Sequence, residues 1–225
     1  MNIEGLGPAN KPALCLCVKP KTDITSELKY VDLLEYRVDL APKIKIEFLT
    51  EELELLRSHG KPMILTNRRA KEGGAYAGSE QQRINLMKSL LDYADIIDIE
   101  LDTRDGLRDE LLDEAQRKKI KSIISYHDFN ETPSQSWIMS IIEKEHNLGD
   151  IAKAAFKVNS PGDILTIYHA CFGFPDKPVI AIPMGSPLAR MAGILFNVPV
   201  LYCGNIAPGQ LTAEQTRHIL DLHYK

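Results

Sequence analysis

The stretch Ser122-Ile-Ile-Ser-Tyr-His-Asp-Phe-Asn-Glu-Thr-Pro133 decides the fold. Ile123 and Ile124 read as a short buried strand that ends at Ser125, which puts His127 on the strand's C-terminal exit. Thr132 followed by Pro133 marks a helix start, with a hydroxyl N-cap and a proline at the first helical position. The helix runs over residues 133–147 and stops at Gly149. The next strand, Ile151–Lys157, carries Lys153 inside an otherwise apolar run. Such a strand–helix–strand unit keeps its polar functional groups where the strand ends meet the loops. Burial lowers a lysine's pKa toward that of a free amine nucleophile. A histidine and a lysine on neighbouring strands therefore suggest imine chemistry with a proton shuttle.

Working outward, the same alternation repeats along the chain. Strands are expected at Ala13–Val18, 33–38, 62–66, 96–101, the quoted stretch, Ile151–Lys157, 178–182 and 199–203. A short helical candidate spans 25–32, and Thr50 is read as the cap of a helix over 51–58. Ser79 with Gln82 forms a capping box for a helix to residue 93, and another helix spans 107–118. Ser160 with Asp163 makes a second capping box around Pro161. Ser186 caps a helix from Pro187 to about residue 196, and Thr212 with Gln215 caps the last. Residues 1–11, with Gly5, Gly7 and Pro8, read as a loose lead-in. Eight strand–helix alternations with short links predict a single (β/α)8 TIM barrel over residues 1–225. A doubly wound open sheet is the runner-up, but it does not need eight units.

Composition bounds the function. The 225 residues are 44% hydrophobic and 26% charged, with a net charge of -4, which gives no broad electrostatic case for nucleic acid or an anionic membrane. No apolar run is long enough to span a bilayer, and residues 1–5 lack a signal pattern. Cys15, Cys17, Cys171 and Cys203 lie scattered in apolar contexts, so reduced thiols of a cytoplasmic protein are expected and zinc is not. No glycine fingerprint for a nucleotide follows any strand; no metal and no cofactor are expected.

At the strand ends the polar candidates are Glu35, Arg37, Asp39, Arg68, Glu72, Glu100, Asp102, His127, Lys153, Lys157, Arg190 and Gln210. Each has a plainer reading. Glu35 and Arg37 share one side of a strand and would make a structural ion pair at the barrel rim. Arg68 and Lys71 would sit on a solvated loop. Lys153, mid-strand, has no easy solvated alternative, whereas Lys157 shares its face but sits nearer water. Spacing favours Lys153 without excluding Lys157.

Glu35-Tyr-Arg37-Val-Asp39, Thr66-Asn-Arg68, Lys71-Glu72-Gly-Gly74, Ser125-Tyr-His127-Asp-Phe129 with Thr132-Pro133, Asp150-Ile-Ala-Lys153, Met184-Gly185 and Ala207-Pro-Gly-Gln210 together resemble the type I 3-dehydroquinate dehydratase family. They occur in the family's order, from the second strand to the last loop. The resemblance implies a Schiff-base dehydratase of the shikimate pathway acting on 3-dehydroquinate. Lys153 would then form the imine, His127 would move the protons, and Glu72 would orient His127 and raise its pKa. Arg190 would bind the substrate carboxylate, while Glu35, Arg37, Arg68 and Gln210 would hold the ring hydroxyls and close the site. Similar proteins are commonly homodimers. Two departures stand out: the segment from Gly185 to Arg190 is short, with Ala189 in place of a serine, and Ile206 replaces the serine before Ala207. A class I aldolase-type barrel is the enzymatic alternative. A catalytically inactive barrel that binds a small acid is the non-enzymatic one.

Overall fold

The computed structural model describes residues 11–42, 44–196 and 198–224. The lead-in expected at residues 1–11 lies almost wholly outside the described residues. Eight strands follow one another: β1 Ala13–Val18, β2 Leu33–Arg37, β3 Met63–Thr66, β4 Ile96–Glu100, β5 Lys121–Asp128, β6 Ile151–Lys157, β7 Val179–Met184 and β8 Val200–Cys203. The paired strands are parallel in the order β7-β6-β5-β4-β3-β2-β1-β8, so β8 returns to lie beside β1. Wrapping gathers side chains from all eight strands into one inner cluster, including Cys15, Leu33, Ile64, Ile96, Ile123, Ile151, Ile180 and Val200. The sheet is therefore rolled into a (β/α)8 barrel, as the alternation predicts.

Among the described residues seven α-helices cover the outside: α1 Ile46–Ser58, α2 Glu80–Ser89, α3 Asp105–Arg117, α4 Gln135–Leu148, α5 Pro161–Phe172, α6 Pro187–Met191 and α7 Ala213–His223. Their apolar stripes meet the outward strand residues in a second, larger core that includes Leu34, Leu65, Ile97, Ile124, Ala154 and Phe156. Inner and outer sets alternate along every strand, as period-two geometry requires. Burying each of these isoleucine or leucine side chains contributes roughly 1.5–3 kcal/mol. No helix among the described residues is long and apolar enough to cross a membrane.

Several boundaries differ from expectation for physical reasons. Residues 25–32 form successive single turns instead of a helix, with Glu27 N–H and Leu28 N–H both bonded to Ile24 O. Helix α1 begins at Ile46, because Phe48 and Leu49 already supply its apolar stripe; Thr50 lies inside it, its hydroxyl donating to Glu47 O at 2.9 Å. Helix α4 is capped by Ser134, which accepts from Trp137 N–H, while Thr132 donates to Lys157 O at 2.7 Å and ties the β5 and β6 exits together. Helices α2 and α6 are shorter than predicted and continue as 3-10 turns, Leu91–Tyr93 and Ala192–Phe196. Strand β5 continues to Asp128, so His127 lies within the sheet, level with Ala155 of β6. The three capping boxes, at Ser79, Ser160 and Thr212, form as read.

Candidate active site

At the C-terminal ends of the strands a cavity of about 290 Å³ opens. Eight of the twelve strand-end candidates line it, the eight to which the family resemblance gives a role: Glu35, Arg37, Arg68, Glu72, His127, Lys153, Arg190 and Gln210. Parity explains why. Glu35 and Arg37 on β2, Lys153 on β6 and His127 on β5 each lie an even number of residues from an inner-core side chain of the same strand. Lys157 shares that parity but lies beyond the cavity lining, half-exposed.

Lys153 is buried, and its ammonium donates to Asp98 Oδ2 at 2.8 Å, to Glu35 Oε1 at 3.4 Å and to Tyr202 Oη at 3.3 Å. It also lies 4.3 Å from the centre of the Tyr202 ring, a cation–π distance. The sequence expectation of a lowered lysine pKa is overturned. Burial does pull it down, but the Asp98 and Glu35 carboxylates outweigh burial and hold it above its ordinary value. Asp98 is the reciprocal case: burial would raise it, yet Arg68 and Lys153 hold it well below the usual carboxylate range.

Asp98 was not among the sequence candidates, although it is the hub of the site. Its Oδ2 also faces Arg68 Nη2 at 2.9 Å, and its Oδ1 accepts from Ser125 Oγ at 2.7 Å. Arg68 in turn donates to Ser125 Oγ at 2.6 Å and to Glu100 Oε1 at 3.1 Å, so it belongs to the buried lattice and not to a solvated loop. Glu100 is shared with Arg83, whose Nη1 lies 2.8 Å from Oε2. The available signal was the strand Ile96-Ile-Asp-Ile-Glu100, in which Asp98 and Glu100 occupy one face of an otherwise isoleucine strand.

Arg37 does not pair with Glu35. It forms a two-pronged bond to Asp39, at 2.9 and 2.8 Å, and Asp39 also accepts the backbone N–H groups of Arg68 and Ala75. Glu35 turns inward and accepts from Thr66 Oγ1 at 2.9 Å and from the Cys17 thiol at 3.2 Å. Asp102 is exposed and contributes only its backbone oxygen, to Arg69.

Glu72 Oε2 accepts from His127 N–H at 3.0 Å and lies 3.1 Å from His127 Nδ1. Glu72 Oε2 thus touches both the backbone N–H and the ring of the histidine, and when Nδ1 carries the proton Nε2 is left free. The expected rise in the histidine pKa does not occur. Burial, followed by the charges of Arg68 and Lys153, holds His127 well below its ordinary value. Burial and the Glu100 charge push Glu72 up to about 8. The imidazole is therefore neutral near pH 7. Gly74 backs this loop so closely that a Cβ there would collide with the Arg68 carbonyl.

Arg190 reaches the cavity from α6, where Ser186 Oγ accepts from Ala189 N–H and Pro187 opens the helix. Its guanidinium donates to Pro208 O at 3.0 and 3.2 Å. Gln210 Oε1 accepts the N–H groups of Ile206 and Ala207, so the loop after β8 is folded around its side chain. Gly209, at φ +75°, packs so tightly on this helix start that a Cβ would lie 2.8 Å from Ser186 N. The short segment before Arg190 still delivers it to the cavity, and Ile206 donates its backbone N–H to Gln210 while its side chain packs on the inner cluster at the cavity. No group of three or more His, Cys, Asp or Glu residues among the described residues is arranged to hold a metal ion.

Fold and site define a (β/α)8 barrel with a carboxylate-held amine and a neutral imidazole in one cavity at the catalytic end of the barrel. The chain belongs to the type I 3-dehydroquinase family, whose model it matches over residues 14–225. It is 36% identical over 202 residues to the 3-dehydroquinate dehydratase of Methanococcus maripaludis strain C5, covering 87% of this chain and 89% of that one. To the Methanobrevibacter smithii 3-dehydroquinate dehydratase it is 34% identical, covering 86% and 85%. Among solved structures, the type I 3-dehydroquinate dehydratase of Clostridium difficile superposes with a TM-score of 0.86 at 30% identity, covering 95% of this chain and 92% of that one.

Proposed function

We propose that Lys153 is the amine through which this chain, a type I 3-dehydroquinate dehydratase and so a hydro-lyase of the shikimate pathway, removes water from 3-dehydroquinate. The carrying observation is the position of the Lys153 ammonium, buried between Asp98 and Glu35 on the cavity floor. Lys153 gives up a proton, its nitrogen attacks the ring ketone, and the carbonyl oxygen leaves as water to give an iminium. The positive charge then returns to where the ammonium stood. The carboxylates that raise the lysine's pKa are thus already oriented to stabilise the iminium, without reorganisation.

His127 Nε2 takes the proton from the carbon beside the iminium, and the electron pair flows into the C=N bond to give an enamine. The enamine expels the β-hydroxyl, which receives that proton from His127 and departs as water. Hydrolysis of the conjugated iminium releases the enone and regenerates Lys153. A depressed histidine pKa costs something in the first transfer but makes the imidazolium a stronger acid for the second. Glu72 orients the ring. Arg190, the half-buried guanidinium beside the β8 loop, takes the substrate carboxylate as a planar fork. Arg37, Arg68, Glu35 and Gln210 complete the wall that faces the ring hydroxyls. The reading carries with it a cytoplasmic setting, supported by four free thiols. It also carries a homodimer, supported by the exposed Phe172, Leu188 and Leu195.

Borohydride reduction in the presence of 3-dehydroquinate, followed by peptide mass spectrometry, tests the central step. The expected adduct is on Lys153 and is lost in Lys153→Ala. An adduct on Lys157, or one that persists in the variant, would move the nucleophile. Labelling with an aldol donor but not with dehydroquinate would favour the aldolase alternative.

A further inference from the structure

One inner-wall residue, Cys17 of β1, lies between the two halves of the site and has no role in the steps above. It is buried, lines the cavity, and is level with Glu35 in the β1–β2 register. Its thiol donates to Glu35 Oε2 at 3.2 Å, and its sulfur accepts from Gln210 Nε2 at 3.2 Å. Each neighbour is itself committed at its other end. Glu35 Oε1 takes the Lys153 ammonium and the Thr66 hydroxyl. Gln210 Oε1 gathers the Ile206 and Ala207 amides, and the adjoining Pro208 O receives Arg190. A chain of polar contacts, completed by the backbone from Ala207 to Pro208, therefore runs from the amine to Arg190, with one sulfur in the middle. Burial, and next the neighbouring Glu35 charge, push the Cys17 thiol well above its ordinary pKa, so it stays protonated and keeps its single S–H directed at Glu35.

We propose that Cys17 is a positioning residue for substrate binding: it holds the Gln210 side chain, and through it the loop over residues 206–208, in register with the Glu35–Lys153 pair. The inference rests on the imine reading for the identity of Lys153, and its test separates the two. Cys17→Ala removes donor and acceptor together. It leaves Lys153 held by Asp98 and leaves Glu35 its bond from Thr66. The expected result is a KM raised about five- to twentyfold with kcat within about twofold, since the lost bonds shape the wall and not the reacting atoms. Cys17→Ser, which can still donate and accept, is expected within about twofold of the wild-type KM.

The deciding readout is a double-mutant cycle. If Cys17 acts through Gln210, then Cys17→Ala has no further effect on KM once Gln210 is alanine. A void in the wall would instead lower the melting temperature equally in both backgrounds and add to KM in both. An unchanged KM in Cys17→Ala, or a full additive effect in the Gln210→Ala background, overturns the proposal. Should the alanine variant fail to fold, Cys17→Val carries the same expectations. Borohydride labelling of Lys153 is expected to persist in Cys17→Ala. Absence of label in the wild type itself would sink the imine reading while leaving the KM cycle to judge Cys17 independently.

Discussion

Replacing Asp98 with asparagine gives the sharpest test of how this site handles charge. Asp98 is fully buried, with one oxygen 2.8 Å from Lys153 Nζ and 2.9 Å from Arg68 Nη2. At an effective dielectric constant of about 20, a unit pair at the Lys153 separation of 2.8 Å is worth about 6 kcal/mol before any compensation. Asparagine keeps an oxygen dipole, and Glu35 remains 3.4 Å from the nitrogen, so about half of that should be lost from the iminium. The expectation is a fall of roughly 10²–10³-fold in kcat/KM, with wild-type secondary structure. Folding should lose about 3–5 kcal/mol, because Arg68 and Lys153 stay buried with one partner fewer each.

The pH dependence carries the diagnostic sign. With Asp98 neutral, burial and Arg68 pull the Lys153 pKa down against Glu35 alone, so free amine exists at lower pH. Stopped-time borohydride labelling across a pH series should show the labelling midpoint of Asp98→Asn displaced toward acid, while turnover falls at every pH. A midpoint that does not move, with kcat/KM within about threefold of wild type, would refute the argument that Asp98 governs both the lysine and the iminium.

Three further outcomes follow from the geometry. His127→Ala should lower kcat by roughly 10²–10⁴-fold, and reduction with borohydride should leave Lys153 carrying the substrate mass instead of the product mass; rapid turnover would point to Glu72 as the base. Arg190→Ala should lose about 1.5–3 kcal/mol of charge-assisted binding, seen mainly as a raised KM, and an unaltered KM would move the carboxylate to Arg37. Glu145, on α4, is fully buried, and burial, then the Asp98 and Glu72 charges, raise its pKa well above the ordinary carboxylate value. An acid whose folded pKa is raised loses stability as pH climbs above its unfolded value. Glu145→Gln should therefore show a flatter decline in urea midpoint between about pH 5 and about pH 8 than the wild type, and identical slopes would contradict it.

The barrel was legible because strand, cap and proline signals repeat with one rhythm, and each signal acts locally. Ser79, Ser160 and Thr212 cap their helices from neighbours three residues away, which a sequence displays directly. The eight cavity residues were legible through motif order. Asp98 was not, because an aspartate inside Ile96–Glu100 looks like an intrusion until the arginine from the loop after β3 and the lysine from β6 arrive to need it. The pKa directions failed for the same reason. Lys153 viewed alone is a buried cation and should lose its proton easily, but two carboxylates from β2 and β4 reverse the sign. His127 viewed with Glu72 alone should gain basicity, but burial, and then the charges of Arg68 and Lys153 brought in from elsewhere in the chain, remove it. Charge balance in a barrel is summed across strands, and no single stretch of sequence contains the sum.

The alternation of side chains along the strands also fixes how the gene for such a protein can change length. Asp98 and Glu100 face the barrel interior only because they stand two and four residues from Ile96. Losing or gaining one codon inside β4 would turn Ile97 and Ile99 into the barrel interior and press both acids into the hydrocarbon layer beneath the helices. Removing a codon from the exposed residues 21–23 would touch neither set. Tolerance to insertion and deletion is therefore expected to be banded along the chain. The forbidden bands should coincide with strands that carry no catalytic group as strictly as with those that do, because a single slipped strand breaks the pairing that its neighbours use to stay in phase. A library of single-codon deletions scored by growth without aromatic amino acids would trace those bands.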